Sequence, residues 1–184
     1  MKLVERKVDI TQLALSDEQS AIRSKGLHIS SVISYLSEKI GRRDNGMTRE
    51  QLDQYAIFGR IWEQYLADRT FTRPRYERIG EIEKDGIIGS PDAVDTHEWA
   101  VQEYKCWWRS SNKPIEDSRE AFWQIQAYCY MLGMTRASLH VAFVCGNWRP
   151  PIPETRAWDI TFTVPELKAN WEMIMQAARE MPSS

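Results

Sequence analysis

Asp92, Glu103 and Lys105 are the residues of this 184-residue chain whose types and spacing could do chemistry together. Side chains at i and i+2 of a strand share a face. In WAVQEYKCWW, residues 99–108, Glu103 and Lys105 therefore project together, with Val101 beside them. Upstream, GSPDAVD at 89–95 reads as a strand that turns back across DTHE. A two-residue loop at His97-Glu98 puts Asp92 directly opposite Glu103, and a loop at Thr96-His97 makes them diagonal neighbours. Either way they share a face within about 8 Å. A register with an odd loop would separate them.

Two carboxylates on one face repel, and a cation between them relieves the repulsion. Oxygen donors suit Mg²⁺ or Mn²⁺ rather than zinc. Such a metal keeps waters, one of which can become a nucleophile. Lys105 could hold that water or offset charge on a transferring phosphate. The chemistry indicated is metal-assisted phosphodiester cleavage. The plainer alternative is a solvated Glu-Lys pair of little energetic value. Against it stand the apolar flanks, Val101, Tyr104, Cys106, Trp107 and Trp108. Gly89 and Pro91 fit a bent or bulged strand just before Asp92. Downstream, Gln124 and Tyr128 are four apart and stack on one helical face, which an ordinary amphipathic helix would also show.

The run GSPD ending at Asp92, EYK at 103–105, and Gln124 through Tyr128 resembles the PD-(D/E)XK nuclease superfamily. The branch it looks most like is the RecB-like one, which includes lambda exonuclease. That branch carries Gly-x-x-Asp, Glu-x-Lys and Gln-x-x-x-Tyr motifs, all present here in order over roughly residues 55 to 163. The resemblance implies that Asp92, Glu103 and the Tyr104 carbonyl bind Mg²⁺ or Mn²⁺ and that Lys105 is catalytic. It implies that Gln124 and Tyr128 position the site or contact the DNA backbone. It makes Glu63, four residues after Gly59, a further metal or water-positioning residue; otherwise Glu63 is a surface residue of a long helix. No cysteine quartet for an iron–sulfur cluster and no helicase segment is present. The implied partner is double-stranded DNA with a free end, and a single-strand annealing or recombination protein is a second. The implied setting is recombination, repair or phage DNA processing in a bacterial cytoplasm.

Basic residues interleaved with aromatics suit phosphate contact and base stacking. RTFTRPRYER supplies Arg69, Arg73, Arg75 and Arg78, and CWWRSSNK supplies Trp107, Trp108, Arg109 and Lys113. A solvated connection and buried Trp are the alternatives.

These residues need elements to position them. Residues 1–27 are polar and weakly patterned, with a short helix expected at LSDEQSAIRSKG. Ile29, Val32, Ile33, Leu36 and Ile40 recur at helical spacing, capped by Ser30 or Ser31 and ended by Gly41. A long helix runs from Thr48, a capping box with Gln51, to about Phe71. YERIGEIEK and GIIGSPDAVD then read as two strands joined at Asp85-Gly86, a strong turn signal. The Glu103 strand, a loop, a helix from Ser118 to Gly133, two strands and a helix from Val164 follow. The order ααβββαββα gives an α+β, restriction-endonuclease-like fold. Its mixed sheet has about five strands flanked by helices. The expectation is one domain over 1–184: a helical part at 1–75, the catalytic sheet and helix at 76–163, and a C-terminal helix at 164–184.

Composition narrows the class. Charged residues make up 27% and the net charge is −2, which argues against indiscriminate coating of nucleic acid but allows a local basic groove. Three cysteines and three histidines are scattered singly, so zinc-knuckle and thioredoxin sites are unsupported. An odd cysteine count fits a reducing cytoplasm. No apolar run reaches the roughly 18 residues a membrane span needs. The rival functions are a non-catalytic nucleic-acid- or protein-binding module on the same fold, and an unrelated α+β domain. Intact Asp92, Glu103 and Lys105 argue against the first. DNA versus RNA, polarity and oligomeric state are left open.

Overall fold

A computed structural model describes residues 1–6, 24–41, 59, 61–65, 75–149 and 153–182. The order is β1 (Lys2–Arg6), β2 (Leu27–His28), α1 (Ile29–Lys39), β3 (Tyr76–Glu77), β4 (Ile82–Lys84), β5 (Ile87–Gly89), β6 (Ala93–Asp95), β7 (Ala100–Trp107), α2 (Arg119–Leu132), β8 (Arg136–Phe143), β9 (Glu154–Thr161) and α3 (Val164–Glu180). Residues 61–65 are also helical. The architecture is α+β with a mixed sheet, as the residue pattern implies. Most of the long helix from Thr48, and residues 15–23 of the helix expected at 15–26, lie outside the described residues; residues 24–26 are not helical.

The main sheet has six strands in the order β1-β9-β8-β7-β6-β3. β7 and β8 run parallel, so α2 is the crossover between them. The other pairings are antiparallel. A smaller sheet, β2-β5-β4, stands apart. Its hairpin turns at Asp85-Gly86, whose φ angles of 53° and 78° are the left-handed pair a two-residue type I′ turn demands. The two expected strands are thus each divided. YERIGEIEK splits between β3 in one sheet and β4 in the other, and GIIGSPDAVD splits between β5 and β6. The break falls at Ser90-Pro91-Asp92, where proline offers no N–H to a ladder.

β1 is an addition to the expected five strands. KLVER is an edge strand with Lys2, Val4 and Glu5 exposed and Leu3 half-buried, so no apolar alternation marks it in the sequence. In α1 the residue before the helix is His28, and neither Ser30 nor Ser31 caps it, because the parallel β2 fixes the entry two residues earlier. Gly41 at φ 82° and Gly133 at φ 67° end α1 and α2 as expected.

One face of the sheet carries the main core. Val101, Leu139, Val141 and Phe143 are at most 1% exposed there and meet Ile125 of α2 and Ile174 of α3. Each such side chain contributes on the order of 1.5–3 kcal/mol by leaving water. Alternation puts Glu103, Lys105 and Trp107 on that same apolar face of β7. The opposite face shows Gln102 and Tyr104, with His140 Nε2 3.1 Å from the Gln102 side-chain oxygen.

Candidate functional site

The hairpin register decides whether the two carboxylates meet. Ala93 pairs with Gln102, Val94 with Val101 and Asp95 with Ala100. One step further along this register sets Asp92 opposite Glu103, the first of the two expected alternatives. The loop is longer than expected. Residues 96–99 form a turn, held where His97 and Glu98 N–H groups donate to Asp95 Oδ1, both at 3.0 Å.

Asp92 sits where the chain leaves the small sheet for the large one. Its Oδ2 accepts from the Tyr104 N–H at 2.6 Å. A strand residue's N–H and C=O point toward the same neighbour, so the Tyr104 carbonyl also faces the Asp92 side. Glu103 is 1% exposed. Its Oε1 lies 2.5 Å from Lys105 Nζ, while its Oε2 is buried without a hydrogen-bond partner. Lys105 Nζ also donates to Gln124 Oε1 at 2.8 Å, and Gln124 Nε2 donates to the Tyr128 hydroxyl at 2.8 Å. The helical i, i+4 spacing of Gln124 and Tyr128 is what lets one chain of bonds run from Glu103 across the strand into α2.

Gly89 explains how the three motifs hold together. A Cβ built there would lie 2.9 Å from Tyr128 Cε1 and 3.0 Å from Met131 Sδ. Only glycine lets α2 lie this close to the end of β5. The Ser90 backbone also hydrogen-bonds Tyr128. Gly-x-x-Asp and Gln-x-x-x-Tyr are therefore one packing unit.

The electrostatics follow from burial. Burial, then the Glu103 charge, then Glu63 push the Asp92 carboxyl well above the ordinary aspartate value. Burial also raises Glu103, although Lys105 opposes it. Burial works against the Lys105 ammonium, yet Glu103 and Asp92 outweigh it and leave its pKa above that of a free lysine. Burial and the nearby carboxylates keep the Tyr128 phenol protonated. Two carboxylates that resist ionisation, one with an orphaned buried oxygen, are the local signature of a missing positive charge. The donor set is oxygen only, which fits a hard divalent cation. Asp92, Glu103 and the Tyr104 carbonyl are the residues that could hold it. Among the described residues no group of three His, Cys, Asp or Glu is gathered closely enough to form a complete protein cage.

Glu63 is near enough for its charge to act on Asp92, Glu103 and Lys105. Its Oε1 lies 3.5 Å from Arg78 Nη2. The helical turn that carries it docks through Tyr65 against Tyr104, with Trp62 alongside. Trp107 and Arg109 join Lys105 and Gln124 around a cavity of about 420 Å³. The Arg109 guanidinium carbon is 4.1 Å from the Trp107 ring centroid, and Nη2 donates to Ser118 Oγ. Arg75 is not brought to this cavity. It pairs with Asp95 Oδ2 at 3.2 Å on the opposite sheet face. Arg73 lies outside the described residues.

Ser118 was legible only as a helix cap. It makes no capping bond and serves Arg109 instead. Asp117 and Glu120 also line the cavity. The available signal was spacing, since Glu120 is four residues before Gln124 on the same helical face.

No family model and no curated protein matches the chain. Solved structures do. The crystal structure of SSO0001 superposes with a TM-score of 0.55 at 16% identity, over 89% of this chain and 81% of that one. A phage related exonuclease from Haemophilus somnus 129PT gives 0.53 at 14%, over 82% and 79%. The alkaline exonuclease LHK-Exo, in complex with dAMP, gives 0.51 at 13%, over 84% and 87%. No helix among the described residues is long and apolar enough to cross a membrane. At such identities what is shared is the architecture, and the chain has the fold of the PD-(D/E)XK nucleases in its lambda-exonuclease-like form.

Proposed function

We propose that the protein is a Mg²⁺- or Mn²⁺-dependent deoxyribonuclease that degrades DNA from a free end. The observation that carries this reading is Glu103, buried and opposite Asp92, with one oxygen on Lys105 and the other unpartnered. Such a buried carboxylate pair is costly unless a cation completes it. The exonuclease neighbours support the same reaction class.

Asp92, Glu103 and the Tyr104 carbonyl would hold the metal, with Glu63 beside it. When bound, the metal lowers the pKa of a water and screens charge on the phosphoryl group. The chain's own residues do the rest. The Tyr104 N–H fixes the Asp92 carboxylate. Gln124 aims Lys105 from α2, and Tyr128 aims Gln124. Lys105, held protonated by the two carboxylates, donates its N–H to the attacking water or to a non-bridging phosphate oxygen and stabilises charge that grows in the transition state. Trp107 and Arg109 add stacking and a cation next to the scissile position. The proposed setting is DNA recombination, repair or phage DNA processing in a bacterial cytoplasm.

The test compares one plasmid, linearised and covalently closed, at equal mass with Mg²⁺ or Mn²⁺. Steady loss of the linear form with survival of the circle is expected. Equal loss of both would make the protein an endonuclease. Retention of both with intact DNA binding would favour a non-catalytic module.

A further inference from the structure

We infer that Tyr65 is a positioning residue for the metal centre: it docks the helical turn of Glu63 onto the Tyr104 ring, and so fixes Glu63 from the sheet face opposite the site. The metal rests on the nuclease reading, and the dock rests on packing that reading does not use.

β7 turns different residues to its two sides. Glu103 and Lys105 lie on the core face, and the Tyr104 ring lies on the other, 5% exposed. The Tyr104 backbone serves the site, since its N–H donates to Asp92 Oδ2 at 2.6 Å. Ring and backbone are two sides of one residue, so what grips the ring also steadies the site. β8 braces it. His140 is the direct partner of Tyr104 in the parallel ladder, and the two rings meet edge to face with centroids 5.3 Å apart. His140 Nε2 lies 3.1 Å from Gln102 Oε1 on the same face. Tyr104 is therefore a fixed platform.

Tyr65 rests on that platform. It is 3% exposed and clusters with Tyr104 apart from the main core, with the Trp62 ring 5.4 Å from its own. Trp62 Nε1 is buried without a hydrogen-bond partner among the described residues. Seating the turn thus leaves a polar group unsatisfied, a loss that the ring contacts must outweigh. Glu63 lies between Trp62 and Tyr65 in sequence. A helix turns by about 100° per residue, so with both aromatics against the sheet, Glu63 is carried round to the flank on the Trp62 side. From there its charge acts on Asp92, Glu103 and Lys105. Its ion pair with Arg78 spans 3.5 Å between two well-exposed side chains, and pairs of that kind hold a carboxylate weakly. The aromatic dock is what fixes Glu63. A carboxylate already in place helps a metal more than one that must be ordered as the metal binds.

The test titrates Mn²⁺ calorimetrically into the full chain without DNA. Tyr65→Ala should weaken Mn²⁺ binding by about tenfold, the lower end of the range for losing a residue that orients a ligand. Tyr65→Phe, which keeps the ring, should bind as the parent does. Glu63→Gln should weaken binding to a similar degree. Adding Tyr65→Ala to Glu63→Gln should weaken it little further, because both act through one carboxylate. Tyr65→Leu serves where Tyr65→Ala does not fold, with weaker binding that again disappears in the Glu63→Gln background. Ile174→Val, in the core on α3, lowers stability without touching the turn and should leave Mn²⁺ affinity at the parental value. Parental affinity in Tyr65→Ala, losses that add fully in the double variant, or an equal loss in Ile174→Val would overturn the inference. A parent that binds Mn²⁺ and degrades DNA, with a Tyr65→Ala variant that binds Mn²⁺ as tightly, keeps the nuclease and loses the dock. A parent that binds no Mn²⁺ loses the metal centre itself, and the dock with it.

Discussion

Lys105 touches Glu103 and Gln124 at once, so its removal and the removal of Asp92 should have different consequences. Lys105 is not a metal ligand in the proposed site. Lys105→Ala is expected to lower kcat by roughly 10²- to 10³-fold, the scale of losing one transition-state donor. Its metal-induced thermal shift should persist. Asp92→Asn should lose activity and that shift together. A saturating metal at a hundredfold excess stabilises by about 2.7 kcal/mol, which a melting titration in Mn²⁺ reads directly. Equal loss of metal binding in both variants would contradict the roles assigned. Asp92 also sets a pH dependence. Its pKa is raised in the fold, so the folded chain holds that proton more tightly than the unfolded one. Stability without metal therefore falls as pH rises from the ordinary aspartate value through the raised one. Lys105, raised above the free lysine value, contributes stability that is lost only at alkaline pH. In EDTA, Asp92→Asn is expected to melt a few degrees higher than the parent at neutral pH and to show a shallower acid-to-neutral slope. A lower melting point or an undiminished slope would count against the buried-pair account. Asp92, Glu103 and Lys105 are named by type and spacing, whereas Glu63 and the roles of Gln124 and Tyr128 come from the family resemblance. What the sequence could not show is the Glu103 oxygen left without a partner, because satisfaction of a buried atom depends on everything around it.

At the scale of elements, the contact of α2 with the end of β5 is the sensitive joint. Gly89→Ala places a methyl against Tyr128 and Met131. Overpacking of this kind costs about 1–3 kcal/mol, and here it also displaces the residue that aims Gln124. Reduced urea stability with a parallel fall in activity is expected. Parental stability would mean that the joint yields more easily than its geometry indicates. The β6–β7 register was readable in part: an even loop places Asp92 and Glu103 on one face in either of two ways, and the odd loop that would separate them is excluded only by the observed pairing. The division of the preceding strands was less readable. Ser90-Pro91-Asp92 looks like a bulge in sequence, yet it is where the chain changes sheets. The Asp85-Gly86 turn was readable because few dipeptides accept two positive φ angles. Its Asp85 carboxylate also accepts from Trp171 Nε1 at 2.9 Å, a link between the small hairpin and α3 that no local pattern carries.

For the whole molecule, β1 closes a sheet edge at β9 that no local residue pattern marks for protection. Lys2 to Arg6 pair with the full second half of β9, so their removal would leave an eight-residue strand open on one side. Unprotected edges recruit other chains. Deletion of residues 1–6 should lower the melting temperature and promote aggregation, as light scattering would show. An unchanged, monodisperse variant would make β1 dispensable. Distant pairing of this kind, between strands at opposite ends of the chain, lies beyond local periodicity.

The most direct measurement is release of acid-soluble nucleotide from linear duplex DNA by the parent protein and by Lys105→Ala. Each is assayed with Mg²⁺, with Mn²⁺ and with EDTA. Release by the parent with either metal, none in EDTA, and at least a hundredfold less from Lys105→Ala with metal present is the expected result. Release that persists in EDTA, or a Lys105→Ala variant as active as the parent, would contradict the claim that Asp92, Glu103 and Lys105 form a metal-dependent nuclease centre.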